Sequence, residues 1–321
     1  MKSSTALQLP QLPGLEVTQH ELPISSPYNR LGVTFRDSKT LPVHRWYPYV
    51  EGFSADYLRA HLNHKKPGLV YDPFGGSGTV NLEASKCGLE SLFSEVNPFM
   101  RFVAETKVNA RFRAKQKKGM FADALMHARK YLVSDQLRRD AAEVSLAPYN
   151  EAFRGRDFFV EEHLRQLLAI RNFIQATRFG SKDVQALFLL AVASVVVHSS
   201  NMTRRADLRR RRKDEYIARV VDVPHFVLQK LNQMEQDILL SSNVYAPARF
   251  LNADARNFEE QYAERFTLIL TSPPYLNGTN YIRNTKLELC GLQPHAAWLL
   301  GRRGVTKRTL RAVAPNSNSP R

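Results

Sequence analysis

The chain has 321 residues, with 46 Lys and Arg against 30 Asp and Glu, which gives a formal net charge of +16 at pH 7. A hydrophobic content of 43% indicates a globular protein, and the length suits one domain with a large insertion or two small domains. This excess of positive charge favours nucleic acid as the partner, with an anionic membrane surface as the second option.

Cysteine content and hydropathy exclude several classes of protein. Cys87 and Cys290 are far apart and lack the spacing of a zinc site or of a disulfide framework, so the sequence predicts a cytoplasmic protein without a metal. The longest apolar run, residues 186–197, is too short to cross a bilayer. Residues 1–14 lack the apolar centre of a signal peptide, so we expect neither secretion nor membrane insertion.

The first hundred residues predict an arm followed by the start of an α/β domain. Residues 1–40 contain four prolines and little periodicity, which favours an arm with short strands at most. Residues 53–64 have helical spacing, with Ser54 as a candidate N-cap.

A glycine-rich motif follows, at residues 72–79. An apolar strand leads to Asp72, a turn contains Pro73, Phe74, Gly75, Gly76 and Gly78, and a helix is expected from Thr79 to about Gly88. Strand, glycine turn and helix in that order allow a ligand to approach bare backbone at the helix N-terminus.

Residues 91–97 predict a second strand that ends in an acid, Glu95, followed by Asn97. In nucleotide-binding sheets an acid at this position accepts hydrogen bonds from both ribose hydroxyls. An acid at a strand end is also often merely solvated. Its position one strand–helix unit after the glycine turn favours the binding role.

From residue 98 to about 245 the pattern is helical. Apolar residues share one face around Leu164 to Ile174 and again around Val227 to Ile238, where Pro224 opens the helix, and residues 186–197 predict a buried helix between them. We therefore expect a helical insertion of more than a hundred residues.

The insertion contains a basic run. Its arginines are Arg204, Arg205, Arg209, Arg210, Arg211 and Arg212. Such a run is typical of a solvated face, and equally of phosphate contact, in which each neutralised phosphate releases counterions.

Two more strands are predicted near residues 248–255 and 266–271, and the second leads into Ser272, Pro273, Pro274 and Tyr275. Neither proline can donate a backbone hydrogen bond, so the strand ends there with free carbonyls. The Ser272 hydroxyl and the Pro273 carbonyl can both accept from one planar amino group, while Tyr275 offers a ring for stacking on a base.

These motifs together resemble the S-adenosylmethionine-dependent DNA amino-methyltransferases. The cofactor loop of that family, Asp-Pro-Phe-x-Gly-Ser-Gly-Thr, is matched at 72–79, and its catalytic loop, Ser/Asn/Asp-Pro-Pro-Tyr/Phe, at 272–275. Residues 44–49 resemble an upstream cofactor segment of the family. The resemblance covers roughly residues 30 to 110 and 248 to 289.

The resemblance implies a Rossmann-like class I methyltransferase sheet, α/β in class, with a large helical insertion between its second and third strands. It implies S-adenosylmethionine as cofactor and a DNA base turned out of the duplex as substrate. The residues implied to bind the cofactor are Trp46, Asp72, Pro73, Phe74, Gly75, Gly76, Gly78, Thr79, Glu95, Asn97 and Asp254. Those implied to be catalytic are Ser272, Pro273, Pro274 and Tyr275.

Serine at the first position of the catalytic loop resembles enzymes that act on the 4-amino group of cytosine more than those that act on the 6-amino group of adenine. Restriction–modification is the implied setting. An RNA amino-methyltransferase would show the same loops and charge. A P-loop hydrolase is excluded because the glycine turn lacks Gly-Lys-Ser/Thr.

The predicted organisation is an arm at 1–40, a cofactor-binding part at 41–98, the helical basic insertion at 99–246, a catalytic part at 247–289 and a basic, poorly ordered tail at 290–321. The family sheet has seven strands, and we expect no further set of three strands after Tyr275, so the sheet is expected to be incomplete. The alternatives are therefore a split enzyme completed by a second polypeptide and an inactive, basic nucleic-acid-binding remnant.

Overall fold

The structure is a computed structural model that describes residues 37–47, 54–62, 68–153, 155–177, 179–204, 207–217, 219–252, 254–257, 260–262, 264–273 and 284–292. Parallel strands form its centre. The strands in chain order are β1 (Leu69–Asp72), β2 (Ser91–Phe93), β3 (Met202–Arg204), β4 (Leu208–Arg210), β5 (Ala248–Phe250) and β6 (Phe266–Ile269).

Four of these strands form one parallel sheet in the order β5-β2-β1-β6. The register places Val70 beside Ser91 on one side of β1 and beside Leu268 on the other. The chain therefore moves outward from β1 through β2 to β5 and then crosses back to the far side of β1. This reversal between β1 and β6 is a topological switch point, where open α/β sheets bind ligands at the carboxyl ends of the strands.

Helices account for most of the remaining described residues. They are α1 (Ala55–Leu62), α2 (Thr79–Lys86), α3 (Pro98–Glu105), α4 (Arg111–Gln116), α5 (Lys118–Leu132), α6 (Asp135–Glu143), α7 (Ala147–Phe153), α8 (Glu161–Thr177), α9 (Lys182–Val196), α10 (Asp214–Ile217), α11 (Val223–Leu240) and α12 (Lys286–Leu292). A π-helical turn, Thr106–Ala110, joins α3 to α4, and short 3₁₀ turns occur at Asp37–Thr40, His44–Trp46 and Glu260–Tyr262.

Helix α9 is the centre of the helical layer. It is apolar around its whole circumference, with residues such as Leu187, Phe188 and Leu190 fully buried, as the sequence of residues 186–197 predicts. Helices α8, α11 and α12 pack on it. The layer and the sheet share one hydrophobic core, because Phe93 of β2 belongs to the same buried cluster as α9.

A buried carboxylate, Asp237 in α11, joins this layer to the segment before α1. It accepts hydrogen bonds from the Val43 backbone N–H at 2.9 Å and from the Trp46 indole N–H at 2.8 Å, and it forms an ion pair with Arg45. Val43 has a φ of 70°, which is strained for a β-branched residue. The hydrogen bond from its N–H to Asp237 holds it in this conformation.

Strand β6 lies at the end of the sheet. Among the described residues its only strand partner is β1, and its burial alternates, with Ile269 57% exposed. A strand of a parallel sheet is ordinarily covered on both faces. One face and one edge of β6 are thus open in the described part of the chain.

The predicted α/β fold with a parallel sheet is confirmed, and α3 to α11 lie between β2 and β5 along the chain. The domain boundaries and the assignment of these helices as a family insertion stay predictions. The predicted arm and tail lie outside the described residues, apart from residues 37–40 and 290–292. None of the helices in the described ranges is long and apolar enough to cross a membrane.

We expect Asp237→Ala to lower the free energy of unfolding by about 3 kcal/mol, because three donors lose a buried charged acceptor. Urea denaturation followed by circular dichroism measures this. Asp56→Ala, which removes an exposed partner of Arg59, is the matched control and should change stability little. Equal effects of the two substitutions would contradict the role given to Asp237.

Candidate functional site

The two sequence motifs meet at the carboxyl edge of the sheet. Thr271, which follows β6, donates from its hydroxyl to the Asp72 carboxylate at the end of β1, with 2.8 Å between the oxygens. One residue earlier, the Leu270 backbone N–H donates to the Tyr71 carbonyl at 3.1 Å. Ser272 and Pro273 therefore begin beside the glycine turn.

The glycine turn packs tightly against β2 and α3. Gly75 donates its N–H to the Ser94 carbonyl at 2.9 Å. Gly78 has a φ of 76°, and a Cβ placed on it would lie 2.7 Å from the Cβ of Ala104. Only glycine fits there, because it tolerates the left-handed backbone and the close approach.

Glu95 lies directly across from this turn. Its carboxylate accepts hydrogen bonds from the Gly76 N–H at 2.8 Å and from the Asn97 N–H at 2.7 Å. Burial raises its pKa to about 7, and these two hydrogen bonds oppose the rise. The negative charge of Asp72 raises the pKa of Glu95 further.

Asp72 is the second acid at this edge. Burial raises its pKa to about 6, against the opposing effect of hydrogen bonds from Thr271 and from the Phe74 backbone N–H. No ion pair joins Asp72 or Glu95 to a Lys, Arg or His within the described ranges. Two neighbouring acids without a described cationic partner, Asp72 buried and Glu95 half-buried, favour a positively charged ligand.

Asn97 completes this edge and begins α3. Its side-chain oxygen accepts from the Phe99 N–H at 3.1 Å, as an N-cap, and its amide nitrogen donates to the Thr285 hydroxyl at 2.8 Å. The N-terminus of α12 thereby lies against the sheet edge that carries Asp72 and Glu95, which we call the acid edge. Phe74 and Val96 are apolar and exposed beside it, which suits contact with a flat, partly apolar ligand.

The structure brings most of the predicted cofactor residues to one edge, namely Asp72, Pro73, Phe74, Gly75, Gly76, Gly78, Thr79, Glu95 and Asn97. It also brings Ser272 and Pro273 there. Pro274 and Tyr275 lie outside the described residues. The functional roles of all these residues stay predictions.

Asp254, the predicted adenine contact, follows β5. It forms hydrogen bonds with the side chain and the backbone N–H of Arg256, and the former lowers the pKa of Asp254 to about 2. The nearer polar group to the acid edge is Asn252, whose carbonyl accepts from the Glu95 N–H at 3.3 Å. A cofactor contact by Asp254 stays a prediction and requires it to leave Arg256.

Trp46 is placed differently from the cofactor edge. Its side chain is fully buried, and its indole N–H is bonded to Asp237 of α11. This position gives Trp46 a structural role, and a contact with a cofactor stays a prediction.

The basic run forms the antiparallel hairpin β3–β4, in which Arg204 lies opposite Leu208. Arg209 is paired with Glu215 at 2.7 Å, and Arg210 with Asp157 at 2.6 Å. Arg212 is exposed and Arg211 half-buried, and Arg205 lies outside the described residues. Arg204 is mostly buried against Glu288, so it differs from the other arginines.

Sequence reasoning missed three residues that shape this edge. Thr271 and Thr285 are single hydroxyls whose partners are nearly two hundred residues away, and Glu288 lies in a short helix. Only Thr271 had a signal, since it adjoins the catalytic motif. No group of three metal-ligating side chains occurs among the residues that the structure describes.

Comparison with known proteins finds relatives of one kind, Type II methyltransferases. M.AvaI of Nostoc sp. (strain PCC 7120 / SAG 25.82 / UTEX 2576) is 24% identical over 283 residues, 80% of this chain and 55% of the relative. M.BsoBI of Geobacillus stearothermophilus is 21% identical over 319 residues, 88% of this chain and 60% of the relative. M.MvaI of Kocuria varians is 26% identical over 222 residues, 64% of this chain and 46% of the relative.

The chain thus spans about half the length of the curated relatives it matches. No protein-family model matches the chain. No solved structure matches it either.

The raised pKa of Glu95 predicts a pH-dependent stability without ligand. Because the pKa in the folded chain, about 7, exceeds the ordinary value of 4.5, folding favours the protonated acid. The free energy of unfolding should therefore fall as pH rises from about 4.5 to about 7, and Glu95→Gln should remove this part of the decline. Asp72 contributes its own decline between 3.8 and about 6, which the variant keeps.

Urea denaturation at a series of pH values measures this difference. Glu90→Gln is the matched control, since Glu90 is an exposed partner of Arg249. If Glu95→Gln and the wild type decline in parallel up to neutral pH, the raised pKa of Glu95 is wrong.

Proposed function

We propose that this chain transfers a methyl group from S-adenosylmethionine to an exocyclic amino group of a DNA base. The observation that carries the proposal is the Thr271–Asp72 hydrogen bond, which puts the glycine turn and the start of the Ser-Pro-Pro-Tyr loop at one edge of the sheet. The similarity to Type II methyltransferases supports the same reaction class.

The acid edge suits S-adenosylmethionine in charge and shape. The cofactor carries a sulfonium and an ammonium group. Asp72 is buried and Glu95 half-buried, and neither has a cationic partner in the described ranges. In this proposal Glu95 accepts the ribose hydroxyls with its remaining lone pairs, while Asp72 and the glycine turn lie beside the methionine part. The bound cofactor supplies the methyl group.

Ser272 and Pro273 would hold the amine of the base. The serine hydroxyl and the Pro273 carbonyl would accept hydrogen bonds from the two N–H groups of the amine. These bonds return lone-pair density to the amine nitrogen and align that lone pair with the methyl group. Ser272 is half-buried and Pro273 exposed, so a base can reach both from solvent. Positioning and electrostatics carry this reaction, as in other group transfers without a covalent intermediate.

DNA is the proposed substrate because a net charge of +16 favours a polyanion. A duplex hides the amine, so the nucleotide must leave the stack, at a cost of a few kcal/mol that phosphate contacts offset. The proposed phosphate contacts are Arg209 and Arg210 of the hairpin and Arg212, which follows it. A phosphate would compete there with Glu215 and Asp157.

Cytosine is favoured over adenine by Ser272 at the first position of the loop. Structured RNA is the alternative substrate. A second alternative keeps the cofactor edge in an inactive nucleic-acid-binding protein. A third is an enzyme completed by a second polypeptide, which would cover the edge of β6 and the exposed Ile269 that are open in the described part of the chain.

We expect Ser272→Ala to lower methyl transfer by about 100-fold or more, because an acceptor for the reacting amine is lost. Cofactor affinity should stay within a few-fold, since Ser272 lies on the base side of the edge. Radiolabelled methyl transfer to duplex DNA and to structured RNA measures the first, and calorimetry with S-adenosylmethionine the second.

Ser145→Ala, in an exposed turn of the helical layer, is the matched control and should act as the wild type. Labelling of RNA alone would mean that RNA, and not DNA, is the substrate. Cofactor binding without labelling of either nucleic acid would favour the inactive or split form. Equal losses of transfer and of cofactor affinity in Ser272→Ala would contradict the role of Ser272.

A further inference from the structure

Arg204 differs from the other arginines of the hairpin in its surroundings. Its side chain is 9% exposed and ion-paired with Glu288 of α12 at 2.6 Å. It also donates to the Tyr47 hydroxyl at 3.0 Å and to the Asn284 carbonyl. Glu288 is itself 1% exposed. Both terminal nitrogens of Arg204 have partners inside the protein, so its guanidinium is closed to phosphate.

The same hairpin holds the start of α12 at a second point. The Leu208 backbone N–H, opposite Arg204 in the hairpin, donates to the Asn284 side-chain oxygen at 2.9 Å. Asn284 thus receives two hydrogen bonds from the hairpin, one on its carbonyl and one on its side chain. This arrangement fixes the position of the next residue, Thr285.

Thr285 connects this contact to the acid edge. Its hydroxyl accepts from the Asn97 amide at 2.8 Å, and the Asn97 backbone N–H donates to the Glu95 carboxylate at 2.7 Å. Asn97 is fully buried and also caps α3. Hydrogen bonds, together with the covalent link between Asn284 and Thr285, therefore connect Arg204 through Thr285 and Asn97 to Glu95.

We infer that Arg204 and Glu288 are positioning residues for cofactor binding, which hold Asn284 and Thr285 against Asn97 so that the Glu95 carboxylate keeps the orientation that accepts the ribose. This inference rests on the proposed function, and it removes Arg204 from the predicted phosphate contacts. The residues that connect Arg204 to Glu95 are packed and have defined hydrogen-bond partners. Contiguous networks of this kind can carry energetic coupling between two sites.

Arg204 and Arg210, six residues apart, are expected to have different roles. Arg204→Lys keeps the charge but has one terminal nitrogen in place of two, so it cannot donate to Tyr47 from one nitrogen and to Glu288 and Asn284 from another. Arg210→Lys would keep a phosphate contact, so Arg210→Met is the variant for the exposed arginine. Thr285→Val removes the acceptor for Asn97, and Thr285→Ser restores it.

Two measurements distinguish positioning from phosphate contact. Calorimetry should show that Arg204→Lys and Thr285→Val weaken S-adenosylmethionine binding about 10-fold, while Thr285→Ser and Arg210→Met bind as the wild type. In duplex-DNA binding, Arg210→Met should reduce the slope of log affinity against log salt by about 1, and Arg204→Lys should leave it unchanged.

Steady-state kinetics provides the third readout. Arg204→Lys should raise the KM for S-adenosylmethionine about 10-fold while kcat at saturating cofactor stays within a few-fold. A merely structural role would lower the folded fraction instead, and circular dichroism detects that. Should Arg204→Lys not fold, the Thr285→Val and Thr285→Ser pair decides the question.

The outcomes separate this inference from the proposed function. If the wild type does not bind S-adenosylmethionine, both are overturned. If the wild type binds it and folded Thr285→Val binds equally well, the inference alone is overturned. A reduced salt slope for Arg204→Lys would overturn it too, because Arg204 would then contact phosphate.

Discussion

The hydrogen bond between the Thr271 hydroxyl and the Asp72 carboxylate is the contact on which the site depends. It joins the ends of β1 and β6, two strands that are neighbours in the sheet but about two hundred residues apart in the chain. The parallel order β5-β2-β1-β6 makes this contact possible, because it places both carboxyl ends at the switch point. Together with the Leu270–Tyr71 backbone hydrogen bond, it holds the glycine turn beside the start of the Ser-Pro-Pro-Tyr loop.

Electrostatics gives this edge its chemical character. Burial raises the pKa values of Asp72 and Glu95, and no ion pair with a described residue opposes the rise. The other fully buried acids in the described ranges, Glu83, Asp237 and Glu288, are ion-paired with arginines. In a chain of net charge +16, an unpaired acidic edge indicates a ligand that brings its own positive charge.

Local patterns predicted the four strands of the parallel sheet, the glycine turn and the buried helix α9, because the spacing of apolar residues and the placement of glycines are local signals. They also predicted the neighbourhood of Asp72, Glu95 and Ser272. They missed the burial of Trp46 and Arg204, whose partners Asp237 and Glu288 are distant in the chain. The hairpin β3–β4 was missed because its short strands are rich in adjacent arginines and lack the apolar alternation typical of a strand.

Photolabelling with tritiated S-adenosylmethionine tests whether the glycine turn and the catalytic loop share one cofactor edge. We expect that label, displaced by excess unlabelled cofactor, is recovered in peptides containing residues 72–79, 95–97 or 271–275. Label confined to the helical layer, for example within residues 118–196, or label that excess cofactor does not displace, would contradict it.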